Sequence, residues 1–220
     1  MLELGNTIYP HAGQKIIYEG SPVGDAHSAM IMLHGRGAGA GSMKGLVGEI
    51  YTDRMLFIIP EAAGFTWYPY RFIEKREVNE PGITSGLMLI ESIVNALIKN
   101  DILKENIFLL GFSQGACLAA DYAARYPARF GGVFVLSGGL IGDVINPPEY
   151  QGNLVQTPVF LGCSDTDFHI PQERFHESAD ILSHLNAAVT KKIYTGMGHT
   201  INRDELVLIN AVIADNRFAD

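Results

Sequence analysis

Ser113 has the surroundings that nucleophilic chemistry needs. It lies in Gly111-Phe112-Ser113-Gln114-Gly115, directly after the strand-length run Asn106 to Leu110 and directly before an Ala-rich segment closed by Pro127. Strand, sharp turn and helix is the setting in which a Gly-x-Ser-x-Gly serine is raised above a sheet edge. A hydroxyl stays a weak nucleophile until a base takes its proton, and the base needs a group that orients it. In such a chain the acid and then the histidine follow the serine. His169, His176, His184 and His199 satisfy that order. His176 and His184 fall in an amphipathic segment after Pro171, off its stripe of Phe175, Ala179, Leu182 and Leu185, and are expected to face solvent. His199 ends Tyr194-Thr195-Gly196-Met197-Gly198-His199, a glycine-bearing loop from which an imidazole can swing over the turn, and it is the expected base. Asp165 and Asp167 both sit where a strand ends at Leu161 to Pro171, and spacing does not choose between them.

Two other chemistries compete for neighbouring residues. Asp165-x-Asp167-x-His169 has a faint look of metal ligands, but no second cluster at ligand spacing supports it, so no metal is expected. Gly35-x-Gly37-x-x-Ala40, with Glu61 about 20 residues on, meets the loose form of a dinucleotide fingerprint and would make the chain an oxidoreductase. Gly41, Gly45 and Gly48 are expected to weaken the helix that such a loop must open, and the fingerprint leaves Ser113 and His199 unused. The same His34-Gly35 loop can instead offer a backbone N–H to a developing oxyanion, opposite the N–H of Gln114. A catalytically inert binding protein on the same scaffold is a further alternative.

The elements that must position these groups alternate in period. Gln14 to Glu19, Ser28 to Leu33, Met55 to Ile59, Asn106 to Leu110, Val133 to Leu136, Pro158 to Leu161 and Lys191 to Tyr194 read as strands. Ile83, Leu87, Ile90, Val94 and Leu97 form a helical stripe after Pro81. Leu206, Ile209 and Ile213 form another, entered through Asn202 with Glu205 three residues on, as in a capping box. Strands alternating with helices predict a mostly parallel central sheet covered on both faces. The connection Glu61 to Asn79 has no clear period but holds Phe65, Trp67, Tyr68, Tyr70 and Phe72, and it follows a strand's carboxyl end, where such folds bind ligands.

At 220 residues and 47% hydrophobic, the chain can bury a sizeable core as a single domain, 1–220. A formal net charge of −8 without a basic block argues against nucleic acid and against an anionic membrane surface as partners. The beginning of the chain has no leader-like pattern, and no apolar run approaches the length of a span, so a cytoplasmic location is expected. Cys117 and Cys163 fall in helix and strand as buried thiols rather than as a disulfide.

Leu33-His34-Gly35, Gly111-Phe112-Ser113-Gln114-Gly115, Asp167-Phe168-His169-Ile170-Pro171 and Gly196-Met197-Gly198-His199, in order along nearly the whole chain, resemble the phospholipase/carboxylesterase family of α/β-hydrolases, which includes the acyl-protein thioesterases. The resemblance implies an α/β-hydrolase fold without a large cap domain. It also implies Ser113 as nucleophile, His199 as base, Asp167 as its partner, and the backbone N–H groups of Arg36 and Gln114 as the oxyanion hole. His34, Trp67, Tyr68, Phe168 and His169 are expected to form the pocket. Phe168, Ala116 and Arg36 depart from the family's usual proline, glycine and apolar residue. The Thr66 to Tyr70 stretch looks like a bacterial carboxylesterase branch more than the protein-depalmitoylating enzymes. The implied activity is hydrolysis of small to medium acyl esters through an acyl-enzyme, with thioesters or lysophospholipids as alternatives and no cofactor. The Arg36 guanidinium could face an anionic group on such a substrate. Homodimerisation is left open.

Overall fold

The structure, a computed structural model, describes residues 2–50 and 53–217. Seven strands form one sheet: β1 (Ile16–Gly20), β2 (Ser28–Leu33), β3 (Met55–Pro60), β4 (Ile107–Phe112), β5 (Gly132–Leu136), β6 (Pro158–Ser164) and β7 (Ala188–Tyr194). Their order is β1-β3-β2-β4-β5-β6-β7, with β1 antiparallel to β3 and every other pair parallel. All the expected strands are present, most with ends shifted by one to three residues.

Alternation along each strand divides the core in two. Ala29, Ile31 and Leu33 pack with α2 (Gly82–Ile98), α3 (Gln114–Arg125) and α4 (Gln172–His184), while Met30 and Met32 pack with α1 (Ala40–Val47) and α5 (Arg203–Arg217). The continuous apolar runs in the central strands follow from this, since both faces are covered. The helix expected to be weakened by Gly41, Gly45 and Gly48 does form, as α1. Its buried contacts come from Ala40 and Met43, and a Cβ at any of the three glycines would meet nothing within 4 Å, so those glycines lie on its open side.

Helix α5 starts with a reciprocal capping box. Asn202 Oδ1 accepts the Glu205 N–H at 3.0 Å, and Glu205 Oε2 accepts the Asn202 N–H at 2.9 Å. Glu205 Oε1 has no hydrogen-bond partner among the described residues and fills the space that a Cβ at Gly162 would take. Burial pushes this carboxyl up to about 7, against the opposing hydrogen bond from Asn202. In the unfolded chain it ionises near 4.5. Between those values the unfolded state sheds a proton that the folded state keeps, so stability falls as pH rises through that window. Glu205→Gln keeps the cap's shape and removes the titration. Urea unfolding at pH 5 and pH 7.5 should show a smaller loss of stability in the variant, by on the order of 2 kcal/mol. Equal losses in the two proteins would contradict this account of Glu205.

Candidate active site

The turn at Ser113 depends on close backbone packing. Ser113 has φ 55° and ψ −117°, a conformation side-chain-bearing residues rarely adopt. A Cβ at Gly111 would collide with the Gly115 carbonyl, and one at Gly115 with the carbonyls of Leu33 and His34. The two glycines therefore let α3 start directly against β4 and β2, while Ser113 N–H is tied to Leu136 O at 2.9 Å. Ala116, in place of a further glycine, is accommodated because Gly138 opposite it has no Cβ.

Two loops bring the other groups to Ser113. His199 Nε2 lies 2.8 Å from Ser113 Oγ, and its Nδ1 lies 2.7 Å from Asp167 Oδ2. With Nδ1–H donating to the carboxylate, Nε2 is left to accept from the hydroxyl. Asp167 is buried, and its Oδ1 accepts the His169 N–H at 2.9 Å. Asp165, which spacing could not separate from Asp167, does something else: its Oδ1 accepts the Gly196 N–H at 2.7 Å. Ser164 Oγ accepts the Gly198 N–H at 3.0 Å, so the acid loop braces the histidine loop at two points. Gly196 and Gly198 supply the positive φ values of 65° and 75° that the bend requires. The His199 ring is flanked by Phe112 and His169, at centroid distances of 5.0 and 4.7 Å. Asp165, Asp167 and His169 thus serve different partners rather than converging as ligands. His176 is half-buried and His184 exposed on α4, away from these contacts.

Gly35 passes close to the turn, since a Cβ on it would lie 3.4 Å from Ser113 Cβ. The next residue is Arg36. Among the described residues, neither its N–H nor that of Gln114, the first residue of α3, finds an acceptor. Beside Ser113 opens a cavity of about 270 Å³ whose walls include Tyr68, Phe72, His169 and Ile170, with Arg36 and Arg71.

Three expected pocket residues stand elsewhere. His34 and Trp67 are fully buried behind the wall. The His34 ring bonds to Gly35 O at 2.7 Å and to the Ala62 N–H at 3.0 Å, and Trp67 Nε1–H donates to His34 O at 2.9 Å. A ring is stable inside once its polar atoms are satisfied, and those of both residues are. Phe168 is 80% exposed and rests on the His169 ring at 4.2 Å, outside the cavity. Tyr68 and His169 do line it.

Side-chain contacts that sequence reasoning passed over hold the wall in place. Gln114 Oε1 accepts the Trp67 N–H at 2.8 Å and its Nε2 donates to Tyr68 O at 2.7 Å. His11, buried, bonds to Trp67 O at 2.9 Å and to the Ala63 N–H at 3.1 Å. Burial lowers the pKa of both His11 and His34, which keeps them neutral as mixed donors and acceptors. Only the polar side chain of Gln114 at the start of an otherwise Ala-rich helical segment hints at such a role; His11 lies in a stretch without period. The dinucleotide reading fails on geometry as well. Glu61 Oε2 accepts the Ala40 N–H at 3.2 Å, placing a carboxylate at the α1 start where a pyrophosphate would sit.

A serine raised on a strand-to-helix turn, with histidine and aspartate from later loops of a mostly parallel sheet, defines an α/β-hydrolase fold. The chain belongs to the phospholipase/carboxylesterase family, whose model matches residues 15–216. It is similar to a crystal structure of a phospholipase/carboxylesterase from Dyadobacter fermentans, with TM-score 0.90 and 39% identity over 95% of this chain and 100% of that one. It is also similar to acyl-protein thioesterase 1 of Saccharomyces cerevisiae, 32% identical over 59% of this chain and 58% of that protein. The mouse lysophospholipase-like protein 1 is 25% identical over 84% of this chain and 85% of its own length. The chain spans about three-fifths of the length of the fungal thioesterases it matches first.

Trp67 is the single tryptophan of the chain, so its packing can be read directly. Gln114→Ala removes both contacts to the loop and leaves the buried Trp67 N–H without an acceptor. It should destabilise the fold by about 1–3 kcal/mol, red-shift Trp67 emission and raise its quenching by acrylamide. Unchanged emission and stability would mean that Gln114 does not hold the wall.

Proposed function

We propose that the chain is a serine hydrolase of carboxylic esters that acts through an acyl-enzyme. The observation that carries this reading is the continuous line from Ser113 Oγ through His199 to Asp167, with spacings of 2.8 and 2.7 Å. Ser113 Oγ attacks the ester carbonyl while His199 Nε2 takes its proton, and Asp167 holds Nδ1–H and stabilises the imidazolium. The N–H groups of Arg36 and Gln114, free of other acceptors among the described residues, donate to the oxyanion. As the tetrahedral adduct collapses, His199 returns the proton to the departing alcohol and Ser113 keeps the acyl group. Water, deprotonated by the same imidazole, then releases the acid.

The cavity of about 270 Å³ is at the small end for ligand sites, which supports small to medium acyl groups. The relatives named as thioesterases support thioesters as a second substrate class for the same machinery, since a thiolate is an easier leaving group than an alkoxide. No helix among the described residues is long and apolar enough to cross a membrane. Cys117 and Cys163 are buried and not joined in a disulfide, which supports a reducing, cytoplasmic setting.

A panel of esters and thioesters of graded acyl length tests the reading. Turnover of short and medium esters is expected, and Ser113→Ala should lower it by several orders of magnitude. Asp167→Asn should cost about 10⁴ in kcat by fixing the wrong imidazole tautomer. Asp165→Asn should cost far less, because the amide oxygen can still accept from Gly196. Failure of the wild type on the whole panel favours an inert binding protein; equal losses in the two aspartate variants would contradict the assignment of Asp167.

A further inference from the structure

Among the described residues, the cavity beside Ser113 is lined by two arginines and by no Asp or Glu. On a chain of net charge −8, that makes it a positive recess in an acidic molecule, a contrast that draws anions in. The two arginines differ. Arg36, whose guanidinium the sequence left free to face an anion, spends its fork inward: Nη1 and Nη2 donate to the carbonyls of Pro69 and Tyr70. Arg71 follows directly on that loop, and its guanidinium makes no hydrogen bond and no ion pair with any described residue, although Glu74 and Glu77 lie just downstream.

The backbone carrying Arg71 is nevertheless held firmly. Buried Asn79 accepts the Tyr70 N–H at 2.8 Å and donates to Arg71 O at 3.0 Å, and the Glu74 N–H donates to the same carbonyl at 3.1 Å. Arg76, further along, is tied to buried Asp121 of α3 at 2.8 Å. A fixed backbone with an unspent guanidinium at the mouth of a cavity is an anion receptor in waiting, because the planar fork matches a carboxylate or phosphate bidentately. A second open donor stands in the same wall. The Tyr68 hydroxyl is buried and has no hydrogen-bond partner among the described residues; it neighbours the Cys117 thiol without meeting hydrogen-bond geometry.

We propose that Arg71 is a specificity-determining residue, and that the substrate is an ester bearing an oxyanionic group, carboxylate or phosphate, which Arg71 binds while the ester carbonyl meets Ser113. This rests on the esterase reading above. The bland alternative, a solvated loop arginine, predicts no charge preference.

The test uses one alkyl ester in four matched forms: uncharged, ending in a carboxylate, ending in a phosphate, and ending in a trimethylammonium. The wild type should favour at least one anionic form in kcat/KM, mainly through KM, and raised salt should weaken that preference. Arg71→Gln should lower the ratio of anionic to uncharged kcat/KM by about 10–100-fold, Arg71→Lys by less, and Arg71→Glu should shift selectivity toward the cation. The carboxylate and phosphate arms report which oxyanion fits. Calorimetric binding of the carboxylate and uncharged esters to Ser113→Ala, with and without Arg71→Gln, separates the two readings. Arg71-dependent binding of the carboxylate form without wild-type turnover would uphold the anion site and remove the hydrolase. Turnover with the same ratio in wild type and Arg71→Gln, or an equal loss on every form, would overturn the anion site and leave the hydrolase standing.

Discussion

The approach of α3 to β2 and β4 is the constraint on which the site depends. Two glycines without Cβ atoms allow it: Gly111 faces the Gly115 carbonyl, and Gly115 faces the carbonyls of Leu33 and His34. That contact holds Ser113 at positive φ, strain that the surrounding sheet must over-determine to maintain. The same contact opens α3 at Gln114, whose N–H has no intrahelical acceptor, and draws the Gly35 backbone up to the serine. The raised serine, the open N–H at the start of α3 and the approach of the loop after β2 are thus products of one piece of packing. The Gly-x-Ser-x-Gly spacing is its trace in the sequence.

What surrounds that point is held by polar atoms rather than by bulk. The aromatic loop is pinned from below by Gln114, His34 and His11, from its far end by Arg76 on Asp121, and across its middle by Arg36 on two carbonyls. Asp121 is buried between Arg76 and Arg125, so its charge is paired, and it joins the loop to the helix that directly follows Ser113. The histidine loop is braced in parallel fashion by Ser164 and Asp165. Each unmet donor or acceptor in such buried positions is costly, which makes these loops well defined despite having little regular structure.

The legible and illegible parts of the chain separate along physical lines. Buried strands and the stripes of α2, α4 and α5 announce themselves because burial on one or two faces dictates periodicity, and the Asn202 and Glu205 cap follows from spacing alone. Helix α1 was obscured because its glycines face open space, where their intrinsic cost is small enough for the packing of Ala40 and Met43 to offset. In the loops, residue type and position along the chain do not say which way a ring points. Trp67 turns inward onto the His34 carbonyl, His34 turns inward onto Gly35 O and the Ala62 N–H, and Phe168 turns outward, although all three sit in or next to motif residues. The difference between Arg36 and Arg71 was equally invisible, since only the folded loop decides which guanidinium finds carbonyls and which is left open.

The central claim is that Ser113 becomes covalently acylated, and intact-mass spectrometry tests it most directly. The protein is mixed with a medium-chain ester, quenched in acid within milliseconds to seconds, and digested to locate any adduct. The account predicts a transient mass increase equal to one acyl group, confined to the peptide containing Ser113 and decaying as the ester is consumed. Turnover with no adduct at any time, or an adduct on another residue such as Cys117, would contradict it.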